Sequence, residues 1–393
     1  MLNAWLRSPS TRWMQRTLIV PVALLLVYIW WAASPHSFTA IIPNTLRPDE
    51  ASPKKARYLS PAELMDRPLA PALHAIPRLI HQSWSTSTLP KKFVTWSDRC
   101  RELHPDWEWV LWTDHDNARL FERFLPWLVE SFTRLPGPIY QADLSRNAYM
   151  LLFGGLYADL DVDCLLPVEQ NILSSHNVPT IAHSEASEMS EASLPNHVDN
   201  RTAFVGRMGT DENFAHSIPN AWMVSPPGHP FFHLMLEWAR DSIADQTDDN
   251  HGTPEAVTGP IALRNGILEY VKSEYHPSPT AETLDGAADP DLARHSKRTE
   301  PDPETRTQTL RNVTLSRPHN ITILPFHHIY PYSWERDGQF VRDICWILSD
   351  SFNETRCKEL LAVDRWQSTA ITYWSHSWDD KGHNAGNLDK VSV

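Results

Sequence analysis

Three acids at alternate positions, Asp159, Asp161 and Asp163, lie in the stretch "GGLYADLDVDC", directly after an apolar run closed by two glycines. Carboxylates at this density repel one another unless a positive charge lies among them, and such oxygen donors suit a hard divalent cation, Mn2+ or Mg2+. Three chemistries use the spacing. A calcium loop of the EF-hand type takes ligands from positions 1, 3 and 5, then wants Gly at position 6 and Glu at position 12. Cys164 and Gln170 stand there instead. A phosphotransfer site with an aspartyl nucleophile comes early in its domain and wants Thr or Val two positions after its acid. Here Asp163 follows Asp161 at that distance, and Leu165 follows Asp163. The third chemistry is a cation bridging two carboxylates and a diphosphate, where it neutralises the charge that develops on a leaving nucleoside diphosphate. It needs two acids one residue apart at a strand end, beside a pocket for base and ribose, and Asp159 and Asp161 fit that requirement.

Such a pair has to be delivered by a strand. "IPRLIHQSW" predicts a short apolar strand and "KKFVTWSDRCRELHPDW" a helix with Phe93, Trp96, Cys100 and Leu103 at spacings of three and four. "WEWVLWTD" predicts a strand ending in Asp114, and "NARLFERFLPWLVESF" a helix interrupted at Pro126. "PIYQADLSRNAYMLLFGG" then predicts a helix closed by Gly154 and Gly155, and "LYADLDVDCLLPV" a strand running into a turn. Strands alternating with helices give an α/β layout, in which ligands bind at the carboxyl ends of the strands. Asp143 and Arg146, three apart on the last helix, share one face and can reach one ligand, or else form a plain surface ion pair. Beyond the acids, the polar text of 174–217 predicts a variable loop, and "NAWMVSPPGHPFFHLMLEWARDSI" a strand, a turn and a helix. The acidic, Pro-rich stretch 273–311 predicts a disordered insertion. "ITILPFHHIYPYSW" and "AITYWSHSW" are two late, aromatic strand-to-turn segments.

The 393-residue chain carries a net charge of −13 with no basic stripe, which argues against a nucleic-acid partner. Arg7, Arg12 and Arg16 precede an uncharged run at 17–33 that ends in tryptophans and small residues. Its length and positive flank predict a signal-anchor helix: cytoplasmic tail 1–16, transmembrane helix 17–33, Pro-rich stem 34–74 and lumenal body 75–393. A cleaved signal peptide is the rival reading. Asn-x-Ser/Thr sequons at Asn200, Asn312, Asn320 and Asn353 agree with a lumenal glycoprotein. Of the four cysteines, Cys345 and Cys357 are near enough to close a small loop as a disulfide; four buried free thiols is the alternative.

With these pieces in hand, residues from 76 to about 170 resemble the DXD-containing glycosyltransferase family 32, the fungal Golgi mannosyltransferase type with its initiating α-1,6-mannosyltransferases and inositol-phosphoceramide mannosyltransferases. The matching segments are "IPRLIHQSW", "WEWVLWTD" and "ADLSRNAYMLLFGGLYADLDVD", and more loosely "NAWMVSPPGHPFF", "TGP" and "YWSHSW". The resemblance implies a Rossmann-like GT-A fold, a nucleotide-sugar donor (GDP-mannose in the fungal members), Mn2+ or Mg2+, and retention of anomeric configuration. It carries the DXD roles onto Asp159, facing ribose and metal, and Asp161, ligating the metal. It puts Asp143 on the donor sugar, with Arg146 orienting it, and Trp84 against the base, where an aromatic face serves as a platform. Ser377 and Trp378 would contact the diphosphate. Family members often show a His where this chain has Thr372, which leaves His376 as the substitute third metal ligand. Asp163 falls outside the pair and is expected to be a solvated turn acid. His81 is expected to pack or cap a strand.

The expectation is a type II Golgi membrane glycosyltransferase that moves a hexose, mannose by resemblance, to a lumenal glycan or a sphingolipid headgroup, alone or within a transferase complex. With no second hydrophobic span after residue 33, the sequence leans towards a glycan. Thr372 in place of His is the one support for another class, a non-catalytic sugar-binding or assembly subunit of the same fold.

Overall fold

The computed structural model describes residues 54–71, 73–189, 201–211, 213–244, 252–272, 319–333 and 338–375, all within the unit Pro53–Val393. The expected tail 1–16, the expected anchor at 17–33, the expected insertion at 273–311 and residues 376–378 lie outside them. Among the described residues no helix is long and apolar enough to cross a membrane.

The chain runs β1 (Arg57–Tyr58), α1 (Pro61–Asp66), β2 (Ile76–Pro77), β3 (Leu79–Ser83), α2 (Lys91–Leu103), β4 (Glu108–Trp112), α3 (Asp114–Phe124), α4 (Pro138–Leu152) and β5 (Gly155–Ala158). It continues with β6 (Val162–Cys164), β7 (Thr180–Ile181), β8 (Arg201–Gly206), β9 (Trp222–Ser225), α5 (Pro230–Ala244), α6 (Pro260–Lys272), β10 (His319–Leu324), α7 (Glu354–Leu360) and β11 (Ala370–Thr372), with short helical turns between. Seven strands form one sheet in the order β1-β4-β3-β5-β9-β8-β10. Its pairs are parallel except at β9, which runs against both β5 and β8. The α/β expectation holds, with a parallel-rich sheet.

Strand alternation sorts the core. Leu79, Val110, Trp112, Tyr157 and Met223 face the layer of α4, α5 and α6, while Ile80, Trp109, Leu111, Leu156 and Trp222 join a second cluster on the opposite face. A third cluster, of Phe93, Trp96, Leu160, Tyr332, Ile371 and Tyr373, joins α2 to β11.

Two sequence readings change here. Residues 54–71, assigned to the stem, are packed into the body. β1 pairs with β4, a Ser60–Glu63 capping box starts α1, and Leu59, Leu64 and Met65 are buried in the main core. The 174–217 segment, expected to be a loop, contains β8, whose Ala203, Phe204 and Val205 are fully buried between β9 and β10. Polar text on both sides hides a strand that is apolar for only a few residues.

The cysteines form two disulfides, Cys100–Cys164 and Cys345–Cys357, with no free thiol among the described residues. The small-loop pairing is as expected, and the four-free-thiol alternative is excluded. The other bridge ties α2 to β6 across 64 residues. Of the two described sequons, Asn353 is exposed and caps α7, whereas Asn320 lies within β10.

Candidate active site

The site is built where neighbouring parallel strands end. β4 leads into Thr113 and Asp114, β3 into Trp84, and β5 into Asp159. Asp114, Trp84 and Asp159 line one cavity of about 420 Å³. The first turns of α4 supply Pro138, Ile139, Ala142 and Arg146 to its wall, and Trp374 and Ser375 close it from the C-terminal segment.

The glycine pair fixes where β5 starts. Gly154 and Gly155 have φ of +64° and +99°, a region that L side chains rarely adopt. A Cβ on Gly154 would meet Pro227 N at 2.6 Å, and one on Gly155 would meet the Leu79 carbonyl at the same distance. The helix-to-strand turn thus needs both residues, and it delivers Asp159 to the sheet edge. There the Asp159 N–H donates to the Ala221 carbonyl (2.8 Å), and the Val162 N–H donates back to the Asp159 carbonyl (3.1 Å), turning the chain so that β6 leaves the main sheet.

The turn separates the three acids. Asp159 Oδ1 accepts from Tyr157 OH and lies 3.2 Å from Arg146 Nη2. Asp161 Oδ2 accepts from the Ser375 N–H at 2.7 Å, and its carbonyl from the Tyr373 N–H at 3.1 Å. Asp163 points away from the cavity and is fully buried, 2.7 Å from Arg99 Nη1 and 2.6 Å from Lys358 Nζ. Asp163 is therefore not a solvated turn acid but the hub of a buried ion cluster that joins α2, β6 and α7. Among the described residues Asp161 alone of the three has no cationic side chain beside it.

Arg146 is buried between carboxylates. Its Nη2 lies 3.1 Å from Asp143 Oδ1 as well as near Asp159, Nη1 donates to the Asn220 carbonyl (3.2 Å), and the guanidinium sits 5.1 Å from the Tyr157 ring centroid. Burial works against its charge, but Asp159 and the surrounding groups outweigh that and hold it protonated. Asp143 does not line the cavity; Ala142 and Arg146 do. Its Oδ1 also accepts from Asn220 Nδ2 (3.0 Å), and its Oδ2 abuts Gly259, where a Cβ would come within 3.1 Å. The pair is thus interior rather than a surface ion pair. Burial raises the Asp143 carboxyl, with Arg146 opposing. Burial also raises Asp159, to about 7, with Arg146 opposing and Asp161 adding to the rise.

These residues fit a divalent cation. Asp143 and Asp159 share the single guanidinium of Arg146, and among the described residues Asp161 has no cation beside it, a deficit of two positive charges; Asp159 and Asp161 border the cavity with hard oxygen donors. Among the described residues no three His, Cys, Asp or Glu side chains converge into a complete ligand set. Thr372 lies beside Asp161, its Oγ1 at 3.5 Å from Oδ1, the long limit of a hydrogen bond. His376, Ser377 and Trp378, the expected metal and diphosphate contacts, lie outside the described residues, directly after Ser375.

Trp84 is partly buried, packs edge-on against Phe93 with centroids 5.2 Å apart, and borders the cavity. His81 is core: Nε2–H donates to the Gly154 carbonyl (2.8 Å), Nδ1 accepts from Trp112 Nε1 (3.1 Å), and burial pushes its pKa down to about 3. Sequence reasoning missed Tyr157, Asn220, Trp374 and the Ser375 amide. Tyr157 alone left a local signal, since it is two residues before Asp159 on one strand face.

The sheet edge and its acid pair define an α/β protein of the DXD type. A profile described as "glycosyltransferase sugar-binding region containing DXD motif" matches residues 90–179. Over 265 residues the chain is 30% identical to inositol phosphoceramide mannosyltransferase 1 of Schizosaccharomyces pombe, covering 66% of this chain and 70% of that one. Over 90 residues it is 41% identical to inositol phosphoceramide mannosyltransferase 3 of the same yeast, covering 23% of this chain and a quarter (25%) of that relative. It is 26% identical over 189 residues to an initiation-specific α-1,6-mannosyltransferase of Saccharomyces cerevisiae, 41% of this chain and 38% of that one. The chain belongs to the DXD-containing glycosyltransferases.

Proposed function

We propose that the protein is a metal-dependent, retaining mannosyltransferase of GT-A type that moves mannose from GDP-mannose to a sphingolipid headgroup bearing inositol phosphate. The observation that carries the reading is the meeting of Asp159, Asp161, Arg146 and Trp84 on one cavity. For the acceptor, the support is that the inositol phosphoceramide mannosyltransferase match is both longer and higher in identity than the α-1,6-mannosyltransferase match. A glycan acceptor is the alternative in the assay below.

In this reading Asp159 and Asp161 hold Mn2+ or Mg2+, which when bound neutralises the leaving diphosphate. Tyr157 and Arg146 fix the Asp159 carboxylate, and the Ser375 amide fixes that of Asp161, so neither has to reorganise on donor binding. Trp84 supports the base. Arg146, braced by Asp143 and Asn220, borders the cavity and would meet the donor there. The bond from the sugar's anomeric carbon to the diphosphate breaks, the acceptor oxygen bonds to that carbon on the same face, and its proton passes to the departing phosphate. The two disulfides support an oxidising compartment, and with the 17–33 anchor they favour a single-pass type II protein of the Golgi membrane with a lumenal body.

The test is transfer from GDP-mannose by the full chain in Mn2+ to inositol phosphoceramide and, in parallel, to an N-glycan. Asp161→Asn should lower turnover by about 10²–10³-fold with the fold intact. Wild-type turnover in that variant refutes the metal assignment. Thr372 at the Asp161 carboxylate favours the one rival, a non-catalytic subunit; Mn2+-dependent GDP binding without turnover on any donor would establish it.

A further inference from the structure

We infer that Asp114 reads the donor's base and makes the site select guanine over uracil. This rests on the nucleotide-sugar reading above. Asp114 borders the same cavity as the acid pair. The strand order sets the distance: β4, which ends before Asp114, is separated from β5, which ends before Asp159, by β3 alone. Two strand spacings put the two positions roughly 10 Å apart along the sheet edge, the scale of a nucleoside from base edge to phosphate. Trp84, at the end of β3, stands between them, and its N–H is tied to the Trp112 carbonyl at 2.9 Å. A base laid on Trp84 with its diphosphate towards Asp159 and Asp161 turns its far edge towards Asp114.

The Asp114 carboxylate is not used by the fold. The capping box that starts α3 is made by Thr113 and Asp116, and among the described residues Asp114 has neither a hydrogen-bond nor an ion-pair partner. Desolvation by the atoms around it raises its carboxyl above the ordinary carboxylate range. Pro138, Ile139 and Ala142 also line the cavity and offer a base packing surface but no side-chain hydrogen bond.

A carboxylate only accepts, through two oxygens side by side. Guanine presents N1–H and the 2-amino group side by side, a bidentate match. Uracil presents a single N3–H between two carbonyls, so a carboxylate there gains one bond and meets two like partial charges. Hypoxanthine keeps N1–H and lacks the amino group. Sites built to hydrogen-bond a group reject the analogue lacking it.

The experiment measures binding of GDP, IDP and UDP in Mn2+ to the full-length protein, wild type and Asp114→Ala. Wild type should prefer GDP to IDP and to UDP by about 10- to 100-fold. Asp114→Ala should lose that preference by weakening GDP while leaving UDP unchanged, and the retained UDP binding also reports an intact fold. A variant that still prefers GDP overturns the inference, as does equal weakening of all three ligands. Wild-type protein that binds no nucleoside diphosphate in Mn2+ overturns the nucleotide-sugar reading instead. Wild-type preference for UDP overturns the GDP-mannose assignment and the role of Asp114 with it.

Discussion

Asp159 is set up for competition between a proton and a cation. Its pKa is raised to about 7, chiefly by burial, and metal binding needs the ionised form. The apparent metal dissociation constant then scales as one plus the ratio of protonated to ionised carboxylate. That factor is about 1.1 at pH 8, about 2 at pH 7 and about 11 at pH 6. Acidifying from pH 8 to 6 should therefore cost about tenfold in Mn2+ affinity, or about 1.4 kcal/mol. The metal-free protein should respond with the opposite sign. A carboxyl with a raised folded pKa binds its proton more tightly folded than unfolded, so its contribution to stability is full below the ordinary carboxyl range and is lost as pH rises through about 7. His81, His183 and His229 pull the other way. Burial lowers them to about 3, 4 and 3, so the stability they hold at neutral pH is lost as pH falls below their ordinary 6.5. Comparison with Asp159→Asn removes the histidine contribution, which both proteins share. The assay is free-Mn2+ EPR at pH 6, 7 and 8 without nucleotide, whose own phosphate titrates in that range, plus denaturant unfolding in chelator. Mn2+ affinity that does not change between pH 8 and 6 would refute the reasoning. So would a wild-type and Asp159→Asn pair with identical pH–stability curves.

Asp163→Asn should destabilise the protein towards the low end of about 3–5 kcal/mol, because Glu354 still pairs with both Arg99 and Lys358. Unlike Asp161→Asn, it should keep Mn2+-dependent GDP binding; denaturant midpoints and calorimetry read the two effects separately. Gly155→Ala should destabilise by roughly 2–6 kcal/mol, from left-handed strain plus overpacking against the Leu79 carbonyl, seen as a large fall in Tm. Chain entropy makes the 64-residue Cys100–Cys164 link worth about 4 kcal/mol and the 12-residue Cys345–Cys357 link about 3. Paired serine variants should lose stability in that order, and a reversed order would show that chain entropy does not govern them.

What the sequence made legible is what is local to one element. The acid pair follows one strand and Asp143 and Arg146 share one helix turn, both readable from spacing, whereas Trp84 is singled out by the family resemblance alone. What it hid is what the fold brings together from afar. Asn220 reaches Asp143 across 77 residues, and the Ser375 amide reaches Asp161 across 214. Four cysteines allow three pairings, and spacing cannot choose the Cys100–Cys164 link. The fate of Asp163 was hidden for a related reason. Period two holds only within a strand, and the turn between β5 and β6 resets it. Its cations, Arg99 and Lys358, come from helices 64 and 195 residues away.

That reset changes how the three acids balance their charge. Two of them bring their own cation: Asp159 has Arg146, and Asp163 has Arg99 and Lys358. Among the described residues Asp161 has only the Ser375 N–H and the weak Thr372 contact, and it borders the cavity. A carboxylate left with neutral donors at a cavity wall, two residues from one already shared with an arginine, is where an added positive charge gains most. Neutralising it should therefore separate metal binding from folding. Asp161→Asn removes a charge that no side chain here balances, so it should leave stability nearly unchanged or slightly raised while abolishing the Mn2+ response. A loss of several kcal/mol in that variant would mean that the fold, rather than the ligand, needs this charge.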